Sequence, residues 1–303
     1  MATHVEPETP KTVNTISVPA EQARNTKLVQ LAILGALFLI AFWPILVRMY
    51  DSWFDERSYM EHGILVIPAV AYMIWSDRQR LSGIRQQPSR WGILFLVWGI
   101  LQAVVGMLIQ WAFVERTALL VSIVGLVLIV FGVQMLRALT YPICTLMLMI
   151  TPPVMIYDRL TLSLQLLASR IGEAVLEAFG YSVLREGNIL ELVGVKLSVE
   201  EACSGIRSLF SIIFMCTLYN FFFVRGRLTK TVILVMAVPI AILSNAGRIV
   251  ATGMASQYNR ALIEGVSHET FGYVSVALAA IGCLGVHSLT VWLYSSWRVR
   301  HAH

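Results

Sequence analysis

The sequence predicts an all-α polytopic membrane protein of about eight transmembrane helices, with a small amphipathic helix and a β-hairpin inserted on the outer side. Three observations predict it. Apolar residues fill 57% of the 303 positions and charged residues only 14%, where soluble domains run to about half and a quarter; mean hydropathy is +0.71. The apolar residues gather in runs close to the ~20 residues that a bilayer crossing needs. Lys and Arg gather in the short segments between those runs, which is where membrane topology puts them.

The runs are 28–47, 59–76, 91–113, 117–136, 139–157, 203–224, 231–252 and 271–294. Glu61 and His62 shorten the second. Pro142, Pro152 and Pro153 in the fifth predict a bent or re-entrant segment, because proline removes a helical hydrogen bond. Residues 1–26 are polar and rich in Thr, Pro and Glu, which predicts a disordered cytoplasmic tail rather than a signal peptide. Residues 297–303 form a second short tail, leaving 27–296 as one membrane domain.

Orientation follows from the basic residues. Lys11, Arg24 and Lys27 precede the first run, and Arg78, Arg80, Arg85 and Arg90 follow the second. Arg137 follows the fourth, Arg225, Arg227 and Lys230 follow the sixth, and Arg298 and Arg300 follow the last. Eight alternating spans place all five groups on one side, so both termini are expected in the cytoplasm. The net charge of +5 is explained by these loops. No aromatic-rich basic face points to nucleic acid, which is excluded as a partner.

The long outward loop is 158–202. Its first part, 160–179, repeats apolar residues at helical spacing with Arg170, Glu173 and Glu177 on the other face, which predicts an amphipathic helix at the membrane interface. Its second part, 181–199, alternates apolar and polar residues around Glu186-Gly187-Asn188 and Gly194, which predicts short strands or a hairpin.

Polar residues inside or capping apolar runs carry the functional information. Cys203 and Arg207 are four apart at the start of the sixth run, with Ser204 and Ser208 as a second such pair. A thiol in a first helical turn is drawn toward thiolate by the backbone dipole, and Arg207 adds to this; Glu200 and Glu201 oppose it. The plain alternative is a buried apolar cysteine, and Cys144, Cys216 and Cys283 read that way. Asn245 and Arg248 are three apart in the outer half of the seventh run. There an inward polar cluster competes with a snorkelling arginine. His268 opens the eighth run, where an interfacial histidine competes with a proton-exchanging one. Orientation puts all three places at the outer rim, where a thiol, a cation and an imidazole suit nucleophilic acyl transfer. No HExxH pattern or paired-cysteine signature points to a metal, and no glycine-rich loop to a nucleotide. No cofactor is expected.

At these residues the sequence resembles the exosortase family. The match is Cys203-Ser204-Gly205-Ile206-Arg207-Ser208, then Asn245-Ala246-Gly247-Arg248-Ile249, then His268 with Gly272 four residues on. Weaker echoes are Glu61-His62-Gly63-Ile64-Leu65, Pro152-Pro153 and Arg185-Glu186-Gly187-Asn188. The resemblance spans roughly residues 30–295. It implies a membrane cysteine protease/transpeptidase with its site at the periplasmic face of the bacterial inner membrane, linked to exopolysaccharide production. The implied partners are PEP-CTERM proteins, whose C-terminal signal is a Pro-Glu-Pro motif, a transmembrane helix and a basic tail. Cys203 would be the nucleophile, and Arg248 and His268 the other catalytic residues. Arg207, Ser204 and Asn245 would support or bind substrate, with Arg207 facing either the substrate glutamate or Glu200 or Glu201. Arginine is a poor proton donor, so Arg248 is read as charge stabiliser and His268 as acid/base. A transporter would place polar residues at mid-membrane along several spans, whereas spans one, three and four are nearly bare. A thiol redox protein would want a second outer cysteine, and none is visible. A non-enzymatic factor for polysaccharide export would tolerate loss of Cys203.

Overall fold

The computed structural model describes residues 20–54, 60–199, 206–258 and 266–301. It divides into two compact units, Met1–Val47 and Arg48–His303. Helix α1 (Ala20–Trp53) begins inside the segment read as a polar tail. In the first unit it stacks Phe38 on Phe42 and leaves Leu37, Leu39 and Ile40 exposed, as lipid-facing residues are.

In the second unit, α2 (Gly63–Ser76) and the short α3 (Arg78–Ser82) precede an antiparallel pair, α4 (Trp91–Leu108) and α5 (Ala112–Val130). This pair is a glycine seam. Gly92, Gly99 and Gly106 recur every seventh residue, and a Cβ on Gly99 would lie 2.1 Å from the Ser122 Oγ, one on Gly106 2.7 Å from the Glu115 amide nitrogen. Small residues let membrane helices approach backbone to backbone, where dispersion replaces the hydrophobic effect as the driving force. The opposite face of α4, with Trp91, Trp98 and Leu101, is exposed. At the start of α5 the buried Glu115 is paired with Arg48 at 2.6 Å.

The fourth and fifth expected spans differ in detail. Helix α5 ends at Val130, and after Gly132 (φ +87°) the chain restarts as α6 (Val133–Ala138) and α7 (Thr140–Leu146). A 3-10 turn, Met147–Met149, then leads to Pro152-Pro153, and α8 (Val154–Ala178) leaves at 80° to what precedes it. The prolines end one helix, and Pro153 caps the next in extended geometry. Helix α8 buries Gln165, Ala168, Ser169, Gly172 and Leu176 on one stripe. It is the expected amphipathic helix, longer at its N-terminal end.

The insertion after α8 is a three-stranded antiparallel meander rather than a single hairpin: β1 (Val183–Glu186), β2 (Ile189–Leu192) and β3 (Val195–Ser198). Glu186 faces Ile189 across the two-residue loop Gly187-Asn188, with Gly187 at φ +67° and Asn188 at negative φ. Positive φ at the first loop position requires glycine and suits the twist of a hairpin. Leu190, Leu192, Leu197 and Val199 pack on Ala168 and Leu176 of α8 and on Ile249 and Val250. The first two are separated by one less buried residue, as strand alternation requires.

Three long helices complete the unit: α9 (Ile206–Phe223), α10 (Arg227–Tyr258) and α11 (Val266–His301), which continues through the expected C-terminal tail. Their common core includes Ile212, Cys216, Ile233, Ala237, Ala279 and Cys283. Cys216 and Cys283 are buried with their sulfurs 2.8 Å apart, whereas Cys144 is exposed on α7, so the expectation of three buried apolar cysteines holds for two.

Among the described residues, six helices are long and apolar enough to cross a bilayer, and the bent pair around Pro152-Pro153 would make seven. The protein is therefore a multi-pass membrane protein, but eight full spans are not reached. The physical reason lies in α2. Its 14 residues extend ~21 Å, short of the ~30 Å hydrocarbon core.

Candidate functional site

The site is built where the N-terminal ends of α2, α9 and α11 meet the second half of α10. The first contribution comes from the residues leading into α2. Gly63 carries no side chain because the Trp53 indole occupies that space; a Cβ there would lie 2.4 Å from its Nε1. Trp53 Nε1 donates to the Met149 carbonyl at 3.0 Å, and His62 Nε2 meets the adjacent Leu148 carbonyl at 3.2 Å. Arg116 Nη1 donates to the Thr151 hydroxyl at 2.9 Å. The break between α7 and α8 leaves backbone and side-chain polar groups outside helical hydrogen bonding, and three side chains from elsewhere in the chain satisfy them. Such a break is tolerated only when its polar groups find partners inside the protein.

A carbonyl oxygen only accepts, so the Leu148 contact places the hydrogen of His62 on Nε2. His62 is 7% exposed, and its Nδ1 is buried with no hydrogen-bond partner among the described residues. The ring lies 6.1 Å from those of Phe210 and Phe214 on α9.

Helix α9 supplies Arg207, whose Nη1 stands 3.5 Å from Glu61 Oε1. Helix α10 supplies Arg248. Its guanidinium lies against Gly272 of α11, where an added Cβ would be 3.6 Å from its Cζ. Ser244 of α10 donates to the Ser275 carbonyl, and Ser275 donates to that of Gly272, tying α10 to α11 beside the site. A cavity of 490 Å³ lies between these elements. It is lined by Glu61 and His62, Arg207, Ser208 and Ser211, Arg248, and Gly272 with Tyr273. Among the described residues two guanidiniums, one carboxylate and one imidazole line the cavity, groups that can hydrogen-bond a carboxylate or a carbonyl oxygen. Among the described residues no three His, Cys, Asp or Glu side chains come together as a metal site would need.

Arg207 and Arg248, distant in sequence, thus share one cavity with Gly272. Asn245 does not join them. It is buried on another side of α10, beside Leu164 and Ala168 of α8 and Leu209 of α9. Three residues turn a helix about 300°, which leaves the two side chains about 60° apart around the axis, and that offset lets Asn245 pack toward α8 and α9 while Arg248 lines the cavity. Cys203 and Ser204, with Glu200 and Glu201, lie outside the described residues. His268 belongs to the first turn of α11, but its side chain also lies outside them. Sequence reasoning assigned no role to Glu61 or His62. Their signal was present: two ionisable residues at the mouth of an apolar run.

Comparison with known proteins agrees with this architecture. No curated protein and no solved structure matches the chain. A family model described as transmembrane exosortase matches residues 53–285, an interval that holds every described lining residue of the cavity and well over half of the sequence. The chain belongs to the transmembrane exosortase family.

Proposed function

We propose that this exosortase is a cysteine protease/transpeptidase. It cleaves PEP-CTERM signals from exported proteins at the periplasmic face of the inner membrane, in a system linked to exopolysaccharide production, with both of its termini in the cytoplasm. The observation that carries this reading is the shared cavity of Arg207 and Arg248. Cys203 stands three residues before Ile206, the first residue of the helix that brings Arg207 to the cavity. His268 stands one helical turn before Gly272, which touches Arg248.

In this mechanism the substrate helix lies against α9–α11 and its extended segment enters the cavity. The Cys203 thiolate attacks the scissile carbonyl, and Arg248 and the Ser204 amide stabilise the oxyanion, at about 3–4 kcal/mol per donor. His268 delivers a proton to the leaving amine, and an acyl-thioester remains on Cys203. The substrate glutamate competes with Glu61 for Arg207. Asn245 supports the α8–α10 contact behind the site.

The test uses Cys203→Ala and Cys203→Ser in cells carrying a tagged protein that ends in Pro-Glu-Pro, a transmembrane helix and a basic tail. Both variants should abolish processing while membrane levels hold; processing at the wild-type rate with either rejects the nucleophile. A membrane-impermeant maleimide added from the periplasmic side should label Cys203, and labelling from the cytoplasmic side alone would overturn the orientation.

A further inference from the structure

Exosortase chemistry as read above requires two proton transfers of opposite sense. The first releases the amine leaving group and needs an acid. The second activates the amine or water that resolves the thioester and needs a base. Arg248 cannot be that base, since a guanidinium stays protonated. The described lining of the cavity includes a histidine, His62, and its surroundings are unusual for a structural residue. Its Nε2–H is committed to the Leu148 carbonyl. Its Nδ1 therefore carries a lone pair, and it is buried without a hydrogen-bond donor among the described residues. An orphaned acceptor in a residue 93% buried costs free energy unless a ligand supplies the missing donor. The cavity that His62 lines is also lined by Glu61 beside it, Arg207 from α9, Arg248 from α10 and Tyr273 from α11. None of these donates to His62 Nδ1.

We propose that His62 is the base of the second half-reaction, accepting at Nδ1 the proton of the incoming amine or water in the cavity of Arg207 and Arg248. The acceptor's nitrogen or oxygen bonds to the thioester carbonyl carbon and its proton passes to Nδ1. The carbon–sulfur bond breaks, and Cys203 leaves as thiolate, to be reprotonated from the imidazolium. The fixed Nε2–H suits this role, because the Leu148 carbonyl also stabilises the imidazolium that forms, as an orienting acceptor does in other histidine bases. The half-exposed Arg207 and more exposed Glu61 mark the side from which an acceptor arrives.

The inference rests on Cys203 as nucleophile, and the experiment separates the two. The full chain in lipid nanodiscs is given a fluorescent peptide carrying Pro-Glu-Pro and an apolar helix, and both cleavage and the Cys203-linked fragment are followed by mass spectrometry. His62→Gln is the informative variant, since its side-chain amide can still donate to Leu148 while the basic nitrogen is gone. Resolution should slow by about 100-fold or more, the thioester should accumulate, and hydroxylamine, which attacks thioesters without a base, should restore turnover. Cys203→Ala should form no adduct and not cleave. If Cys203→Ala still cleaves, the nucleophile reading fails. If it is inert while His62→Gln resolves the thioester at the wild-type rate, only the role of His62 fails. A slow His62→Gln that shows no accumulation and no rescue also overturns that role, because it marks a purely structural histidine. Should His62→Gln not reach the membrane, single-turnover resolution in the wild type decides. It should fall as pH drops from about 8 to about 5, and a flat rate sinks the proposal.

Discussion

The α4–α5 pair and the cavity between α2, α9, α10 and α11 solve opposite problems in one membrane protein. The pair is local and its seam is made of small residues. Glycines every seventh residue bring two adjacent helices to backbone contact, and the outer face meets lipid. The cavity is non-local and polar. Its walls come from four segments, and its supporting shell satisfies irregular backbone at Leu148 and Met149 with His62 and Trp53. Small residues let the pair pack tightly, whereas the cavity keeps polar groups around an open space. His62 and His287 repeat the contrast at the level of one side chain. The Nδ1 of His287 is closed by the Tyr219 hydroxyl at 2.5 Å, whereas that of His62 is not.

The sharpest way to break this contrast is at two positions of α10 that differ by three residues. Arg248→Ala should cut processing by about 100–1,000-fold, the cost of one oxyanion donor, with membrane levels intact. Asn245→Ala should leave the rate per folded molecule within a few-fold. Equal kinetic losses at both positions would refute the separation of the two by α10. Next in size is Gly99→Leu, which drives a side chain into Ser122. It should cost about 1–3 kcal/mol or more, lowering the melting temperature in detergent and the amount of protein in the membrane. Processing per surviving molecule should hold, and an unchanged melting temperature would show that the pair can reseat.

Trp53→Phe removes one buried hydrogen bond to Met149 and should cost about 1 kcal/mol. Because Trp53 packs beside Gly63 and the break at 147–153, it should also slow processing slightly. A stability loss with no kinetic change would uncouple that shell from the cavity. The smallest effect belongs to Lys196→Ala in the sheet. Its exposed pair with Glu191 should contribute under about 1 kcal/mol. A thermal shift of more than a few degrees would give the sheet a larger part in stability than its surface charges imply.

Much of the fold was legible because bilayers impose simple rules. Apolar runs marked the spans, Pro152-Pro153 marked the bend, and Gly187-Asn188 marked a turn. The boundaries that shifted, such as the end of α5 at Val130 and the shortness of α2, depend on backbone geometry at Gly132 and on what caps each run. Arg207 and Arg248 were legible as members of one site, because the expected orientation put them at the same rim; Gly272 entered only through the motif match. The pairing of Arg207 with Glu61 was not legible. Nor were the approach of Cys216 to Cys283, the exposure of Cys144 or the turning of Asn245 away from Arg248, since none leaves a local mark in the chain.

Hydropathy and charge acted residue by residue along this chain, and so the sequence by itself determined that it enters a membrane repeatedly and where it bends. Which of its polar side chains share a cavity, and which are closed off by a neighbour, was decided by tertiary structure alone. A helix turns 100° per residue, so partners three or four positions apart diverge or converge according to the helices packed around them. A ring nitrogen such as His62 Nδ1 becomes a base or a filler only through what its distant neighbours leave open.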